Sequence, residues 1–462
     1  MKMATTSCLL GLSTLNEEVA MAKQKSIKVR QSLATLFSPQ RIMHFARSTG
    51  AVVRNRKVSI THLFWTVVLG FGTGRTRQIA GLRRSYEKST GQTIEESSFY
   101  DRFTPAFTRM LKAAVAHAIG SLNGVGRALA GPLAAFKDVL LTDSTVMRLH
   151  DLLEKAFPAC RTNHTLAALK MHVVLSVAGA GKQSIRLTAQ RRHDRRVFTV
   201  GPWVRDRLLI FDLGYFCYRL FACIVRNGGY FLSRLKDSAN PRIVAVNRAC
   251  RGRARGLIGR RLRDMLPHLT RGILDVMVEV SFRRRTYGGH RHGGTQLLRV
   301  VGMRDAETGE YHLYITNIPV EKLAAEDIQH VYAARWLIEL LFNELKSTYR
   351  IEDLPSRKRH IVEALVHAAI LTLIVSRTLL NDLRGILQDM TERMPLKRWA
   401  TVFAAVAADV LRLLTRPPRE TRALERDVSR YLLHEVVDPN ASRLSLIQSV
   451  EMRCHQYQKA AV

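Results

Sequence analysis

Acidic residues are absent between Val19 and Tyr86, a stretch that holds thirteen lysines and arginines. Over all 462 residues, 38 Asp and Glu face 72 Lys and Arg, a net charge of +34. Such an excess repels itself in a compact state unless a polyanion neutralises it, so nucleic acid is the expected partner. Cysteine is sparse as well. Cys8, Cys160, Cys217, Cys223, Cys250 and Cys454 form no CxxC and no paired rhythm, which excludes a zinc site or disulfide framework and fits reduced thiols. A long apolar run is also missing. The best one, Ala364 to Ser376, is too short to span a bilayer and is interrupted by His367, so it reads as a buried helix and no membrane partner is expected. The opening residues end in Ala20-Met21-Ala22, but Glu17 and Glu18 follow a short apolar part, which argues against secretion. With 47% hydrophobic residues the chain can bury a core and form two to four structural units.

The first hundred residues read as helical and basic, with helices over Pro39–Arg47, Ile60–Leu69 and Ser97–Ala118. Ser38 before Pro39 is a plausible N-cap. Such a module suits DNA contact. After Gly131-Pro132 the period changes. FKDVLLTDS, ALKMHVVLSVAG and SIRLTAQR read as three strands in hairpin order. A short helical connection from Asp194 to Val204 leads to RLLIFDLGY, then a helix over Phe216–Asn227, then YFLSRLK. This order indicates an α/β sheet of mixed direction. From Arg242 to Arg299 there are fourteen Arg against three acids, with LDVMVEVSF, TQLLRVVGM and YHLYITNI as strands. That β-rich insertion is dense enough in charge, including Arg283, Arg284 and Arg285, to suggest phosphate contact. From Ile361 onward the chain is mainly helical.

Ala178 to Lys182 superficially resembles a phosphate loop but lacks its leading Gly and its Ser or Thr, so it reads as a hairpin turn. His290 and His292 read as part of a flexible basic turn.

Two strands carry an Asp at or near their C-terminal ends, Asp143 in LLTDST and Asp212 in LIFDLGY. Strand ends are where α/β sheets build sites. A third carboxylate, Glu339, lies in YAARWLIELLFNELK, Tyr332 to Lys346. At ~100° per residue, Tyr332, Arg335, Glu339 and Lys346 fall within about 60° of one another, a polar stripe ~20 Å long. Its other faces are apolar, with Glu344 as the one charge off the stripe. The stripe is either an internal ion-pair ladder or one wall of a site. Three converging carboxylates need cations between them, and all-oxygen ligands suit Mg²⁺ or Mn²⁺. Two such ions about 4 Å apart can promote phosphodiester cleavage.

The spacing of Tyr332, Arg335, Glu339 and Lys346 resembles the YREK signature of DDE transposases in the insertion sequence 4 family. Asp143-Ser-Thr resembles that family's first Asp motif, and FDLGY with the helix and GGYFLSRLK after it resembles the second. The resemblance covers roughly Asp138 to Ser376. It implies an RNase H-like mixed-sheet core with a β-rich insertion, flanked by helical regions. The parts would be an N-terminal DNA-end-recognition domain (1–130), a first core part (131–240), the insertion (241–320), a second core part (321–385) and a C-terminal region for dimerisation (386–462). It also implies cut-and-paste transposition: hydrolysis at the element's end assisted by two Mg²⁺ (or Mn²⁺) ions on Asp143, Asp212 and Glu339, then attack by the freed 3′ hydroxyl. Tyr332, Arg335, Lys346, Arg234 and Lys236 would contact DNA. The partners would be terminal inverted repeats and target DNA, bound by a dimer, in the cytoplasm of a prokaryote at its nucleoid. Some members stack a flipped base on a Trp of the insertion. None of Trp65, Trp203, Trp336 and Trp399 lies there, so a hairpin route would need Tyr287 or another aromatic in that role. Two other readings share the features: another metal nuclease of the same fold, and a non-catalytic DNA-binding relic.

Overall fold

The computed structural model describes residues 26–439, apart from 53–57, 71–77, 123–127, 161–163, 180–182, 249–255, 284–292 and 353. Arg284, Arg285, Tyr287, His290, His292, Cys8, Cys250 and Cys454 therefore lie outside the described residues.

Among the described residues the helices that come first are α1 (Val29–Leu36), α2 (Pro39–Ser48), α3 (Ile60–Leu69), α4 (Ile79–Thr90), α5 (Glu96–Tyr100) and α6 (Pro105–Leu122). Ser38 caps α2 as expected, its side chain accepting from the Arg41 N–H. The stretch from Ser97 to Ala118 is two helices, not one. The chain leaves α5 at Asp101, and Pro105 starts α6, because the residue before a proline is forced out of the helical region.

Among the described residues nine strands then form one sheet. They are β1 (Asp138–Arg148), β2 (Ala168–Ser176), β3 (Ser184–Ala189), β4 (Arg207–Phe211), β5 (Tyr230–Arg234), β6 (Arg242–Val246), β7 (Ile273–Arg283), β8 (Gly293–Arg304) and β9 (Tyr311–Thr316). Their order is β3-β2-β1-β4-β5-β9-β8-β7-β6. β1, β4 and β5 run parallel and the other pairings are antiparallel. The connections hold α7 (Asp194–Val197), α8 (Tyr218–Arg226) and α9 (Leu262–Met265). The β-rich insertion does not fold apart. It re-enters through β9 on the edge of β5 and widens the same sheet.

After β9 come α10 (Ala325–Ala333), α11 (Trp336–Ser347), α12 (Arg359–Ile386), α13 (Leu396–Thr415) and α14 (Pro418–Glu435). α12 is long and apolar enough to cross a membrane by length alone, but most of it is buried within the fold. It packs on α6, α1 and α3, while α13 packs on α3, α4, α1 and α14. Helices from the two ends of the chain thus share one core. The Thr372 hydroxyl donates to the Val68 carbonyl, and Trp399 Nε1 donates to Ser376 Oγ at 2.8 Å.

The sheet alternates cleanly between two faces. Val139, Leu141, Leu208 and Ile210 join the core beneath the helices, whereas Leu140, Leu209 and Phe211 join a second core on the far side. Both faces of the central strands are covered, which explains their unbroken apolar runs.

Candidate active site

β1 outlasts its parallel partner. Its last parallel pairing is Thr142 with Phe211, the final residue of β4. Asp143 and Asp212 follow one step later on adjacent strands. Asp143 is therefore in the middle of an 11-residue strand, since β1 continues against β2 to Arg148. By alternation both carboxylates share the face of Leu141 and Ile210, the face that carries α11. Glu339 stands in the first turn of α11. The two Asp and the Glu thus come from three elements to the same face, near enough for the charges of Asp212 and Glu339 to act on Asp143.

The expected single helix from Tyr332 to Lys346 is two. Between α10 and α11 the backbone bonds shorten to three-residue steps: Ala334 to Val331, Arg335 to Tyr332, Leu337 to Ala334 and Ile338 to Arg335. This tightened turn swings Arg335 over the carboxylates. Its Nη1 lies 2.5 Å from Glu339 Oε1 and 3.6 Å from Asp143 Oδ2. Its guanidinium also lies 5.7 Å from the centre of the Tyr332 ring. The Tyr332 hydroxyl faces the Phe211 carbonyl at 3.4 Å, directly before Asp212. Burial pushes the Tyr332 phenol up to about 12. Arg335 and Glu339 of the stripe form an ion pair that also faces Asp143.

Asp143 shows the strain of this crowding. Its carboxyl is pushed up to about 6, chiefly by burial. The Ser144 N–H, donating at 2.7 Å, opposes the rise. The charges of Asp212 and Glu339 add to it and that of Arg335 subtracts.

A model of the transposase DDE domain matches residues 134–375, over half of the chain. The chain belongs to the DDE transposase family. It is similar to the transposase for insertion sequence element IS231F of Bacillus thuringiensis subsp. israelensis, 21% identical over 363 residues, 71% of this chain and 72% of that one. It is similar to the transposase for IS1151 of Clostridium perfringens, 18% identical over 346 residues, 69% and 73% of the two chains. A shorter likeness, 32% over 73 residues, 16% and 20% of the two chains, links it to the putative transposase InsL for IS186A of Escherichia coli K12. It is a DNA transposase, a DNA-cleaving enzyme with the RNase H-like fold of its family.

The transposase family uses divalent metal ions. The residues present fit them. The donors are hard carboxylate oxygens, and three acids face a single Arg335, which leaves negative charge to neutralise. Among the described residues no three donors enclose one point.

The other sequence-predicted residues are placed unevenly. Arg234, exposed at the end of β5, is level with Asp212, and Lys236 is exposed just beyond it. Lys346 is on α11 but pairs with Glu352 at 2.8 Å. Arg283 is not brought to the carboxylates. It ends β7, four strands or ~19 Å from β4, and β7 runs antiparallel to β5, so Arg283 lies toward the opposite end of the sheet. Glu344, the charge off the stripe, is buried and pairs with Arg377 of α12. Trp336 and Leu340 are not core: they are 48% and 39% exposed on the outer side of α11.

Sequence reasoning missed a second polar network. On the opposite face of β1, Ser144 Oγ donates to Asp194 Oδ1 at 2.7 Å. Lys170 Nζ is 3.3 Å from Asp194 Oδ2 and His172 Nδ1 is 3.1 Å from Oδ1. Burial alone would raise the Asp194 carboxyl, but His172, Ser144 and Lys170 outweigh it and hold it well below the usual carboxylate range. The network anchors Ser144, whose N–H holds Asp143.

Asp143 also sets a pH dependence. Its carboxyl titrates at about 6 folded against 3.8 in its ordinary state. Between those values the folded state holds a proton that the unfolded chain has released, so stability falls as pH rises through the window. Above pH 6 the full cost is about 3 kcal/mol. Asp143→Asn removes it. Without metal, denaturant unfolding is expected to find the variant about 3 kcal/mol more stable than wild type at pH 7.5, with little gain at pH 4. An equal difference at both pH values would contradict this origin.

Proposed function

We propose that this transposase carries out cut-and-paste transposition in the manner of the insertion sequence 4 family, with Tyr332, Arg335, Glu339 and Lys346 as its YREK residues. The observation that carries the reading is the meeting of Asp143, Asp212 and Glu339 on one face, one step past the end of the parallel strands. Asp143, Asp212 and Glu339 would hold two Mg²⁺ or Mn²⁺ ions, which supply charge neutralisation at the scissile phosphate and activation of the attacking oxygen. Arg335, Arg234, Lys236 and Lys346 bind and orient the phosphates beside the cut, since guanidinium and ammonium groups position a backbone without reading sequence. Tyr332 ties α10 to the strand end that bears Asp212. Trp336, exposed beside Glu339, gives a base a face on which to stack. Residues 1–130 recognise the element's terminal inverted repeats, the insertion 241–320 with Arg283, Arg284 and Arg285 holds flanking or target duplex, 131–240 and 321–385 form the core, and 386–462 supports a dimer on DNA. The reaction takes place on chromosomal DNA in a prokaryotic cytoplasm.

The test is incubation of linear DNA carrying the gene's genomic flanks with the protein and Mg²⁺. Breaks confined to the element ends, followed by strand transfer, are expected. Cleavage without end specificity would make the chain a general nuclease of the same fold. Tight binding without cleavage under any divalent ion would make it a DNA-binding relic.

A further inference from the structure

We propose that Arg335 is an exchangeable counter-cation: in the DNA-free transposase it occupies the space between Asp143 and Glu339, and a DNA phosphate that draws it out favours the loading of a divalent ion. The inference rests on the metal-binding reading of these carboxylates. Three observations carry it. The guanidinium bridges two of the three acids, at 2.5 and 3.6 Å, so an ion at the same carboxylate oxygens would face a like charge within contact distance. The pose satisfies charge but not hydrogen bonding, because Arg335 Nε is buried without a partner. An arginine fork has five donors that match a phosphate bidentately, so phosphate offers this side chain what the carboxylates do not. Finally, Arg335 sits in the three-residue-step turn between α10 and α11, a local geometry that often marks a hinge, and the Tyr332 ring provides a neighbouring cation surface.

The consequence is linkage. If DNA phosphate and metal each displace the same internal pairing, each strengthens the other's binding by one shared factor. Metal would then load preferentially once DNA is in place.

The experiment measures Mn²⁺ binding by electron paramagnetic resonance, with and without an uncleavable duplex carrying the element end. Wild type is expected to bind Mn²⁺ about tenfold more tightly with duplex present, within the usual range of such couplings. Arg335→Gln is expected to bind Mn²⁺ about tenfold more tightly than wild type in the absence of DNA and to show little further gain with it. Arg335→Lys, which keeps the charge, should retain most of the coupling, and serves also if the glutamine variant folds poorly. Glu339→Gln is the control on the underlying reading and should lose the site's Mn²⁺. If Glu339→Gln loses Mn²⁺ while Arg335→Gln binds it no better than wild type, the exchange is wrong and the metal site stands. If Glu339→Gln leaves Mn²⁺ binding intact, the metal site is wrong and the exchange falls with it.

Discussion

Glu339→Gln is expected to lower DNA cleavage by about three orders of magnitude while leaving affinity for end DNA within about twofold. On the proposed reading Glu339 would hold a metal ion, and removing its charge would then forfeit several kcal/mol of transition-state stabilisation; ~4 kcal/mol is a factor of about 10³. DNA binding should survive because amide and carboxylate have the same shape and phosphate affinity comes from the basic groups. The change also frees Arg335 from its 2.5 Å partner, so phosphate binding has no reason to weaken. Electrophoretic binding and single-turnover cleavage on one substrate measure both quantities. Retained cleavage would remove Glu339 from the chemistry. A parallel loss of binding would mean that Glu339 holds the fold rather than the metal.

The second large effect is on stability. Arg299 on β8 is 2% exposed and donates two hydrogen bonds to Asp275 of β7, Nε to Oδ1 at 2.9 Å and Nη2 to Oδ2 at 2.6 Å. Its Nη1 also donates to the carbonyls of Leu323, at 2.7 Å, and Ile318, at 3.3 Å. Those carbonyls belong to the segment that leads from β9 into α10, and therefore toward Tyr332, Arg335 and Glu339. Arg299→Ala leaves Asp275 buried with Asn247 as its remaining side-chain partner. Breaking one side of a buried pair costs about 3–5 kcal/mol, whereas replacing both partners by apolar residues of similar size is nearly neutral. Denaturant unfolding of Arg299→Ala should show that loss, and the double variant Arg299→Met with Asp275→Leu should recover most of it. A single-variant loss under about 1 kcal/mol would contradict the role assigned to the pair.

Much of this was legible in the sequence, for physical reasons that can be named. The strands of the core were readable because sheets covered on both faces need apolar runs, and β1, β4 and β5 carry them. Asp143 and Asp212 stood out because each interrupts such a run. β6 escaped notice: RIVAV is short and lies in an Arg- and Asn-rich stretch. The break between α10 and α11 was not readable, because Ala334 and Arg335 are good helix formers and neither Gly nor Pro marks the turn. The sequence could not separate an ion-pair ladder from a site wall, since helical spacing brings Arg335 to Glu339 in either case. Only the strand register adds Asp143 to that pair. Asp194 was hidden for a similar reason. It lies in the polar segment RRHDRR, and its partners Lys170 and His172 are on a strand that only the sheet brings near. Trp336 and Leu340 misled in the other direction. An apolar residue on a helix beside a site need not be core when the ligand is a large external duplex.

Anomalous scattering from crystals of the transposase bound to end DNA and soaked in Mn²⁺ addresses the central claim most directly. The expected result is manganese density bounded by Asp143, Asp212 and Glu339, with Arg335 turned away from Glu339 onto a DNA phosphate. Bound DNA with no manganese at these carboxylates, or manganese held by other residues beside the scissile phosphate, would contradict the account.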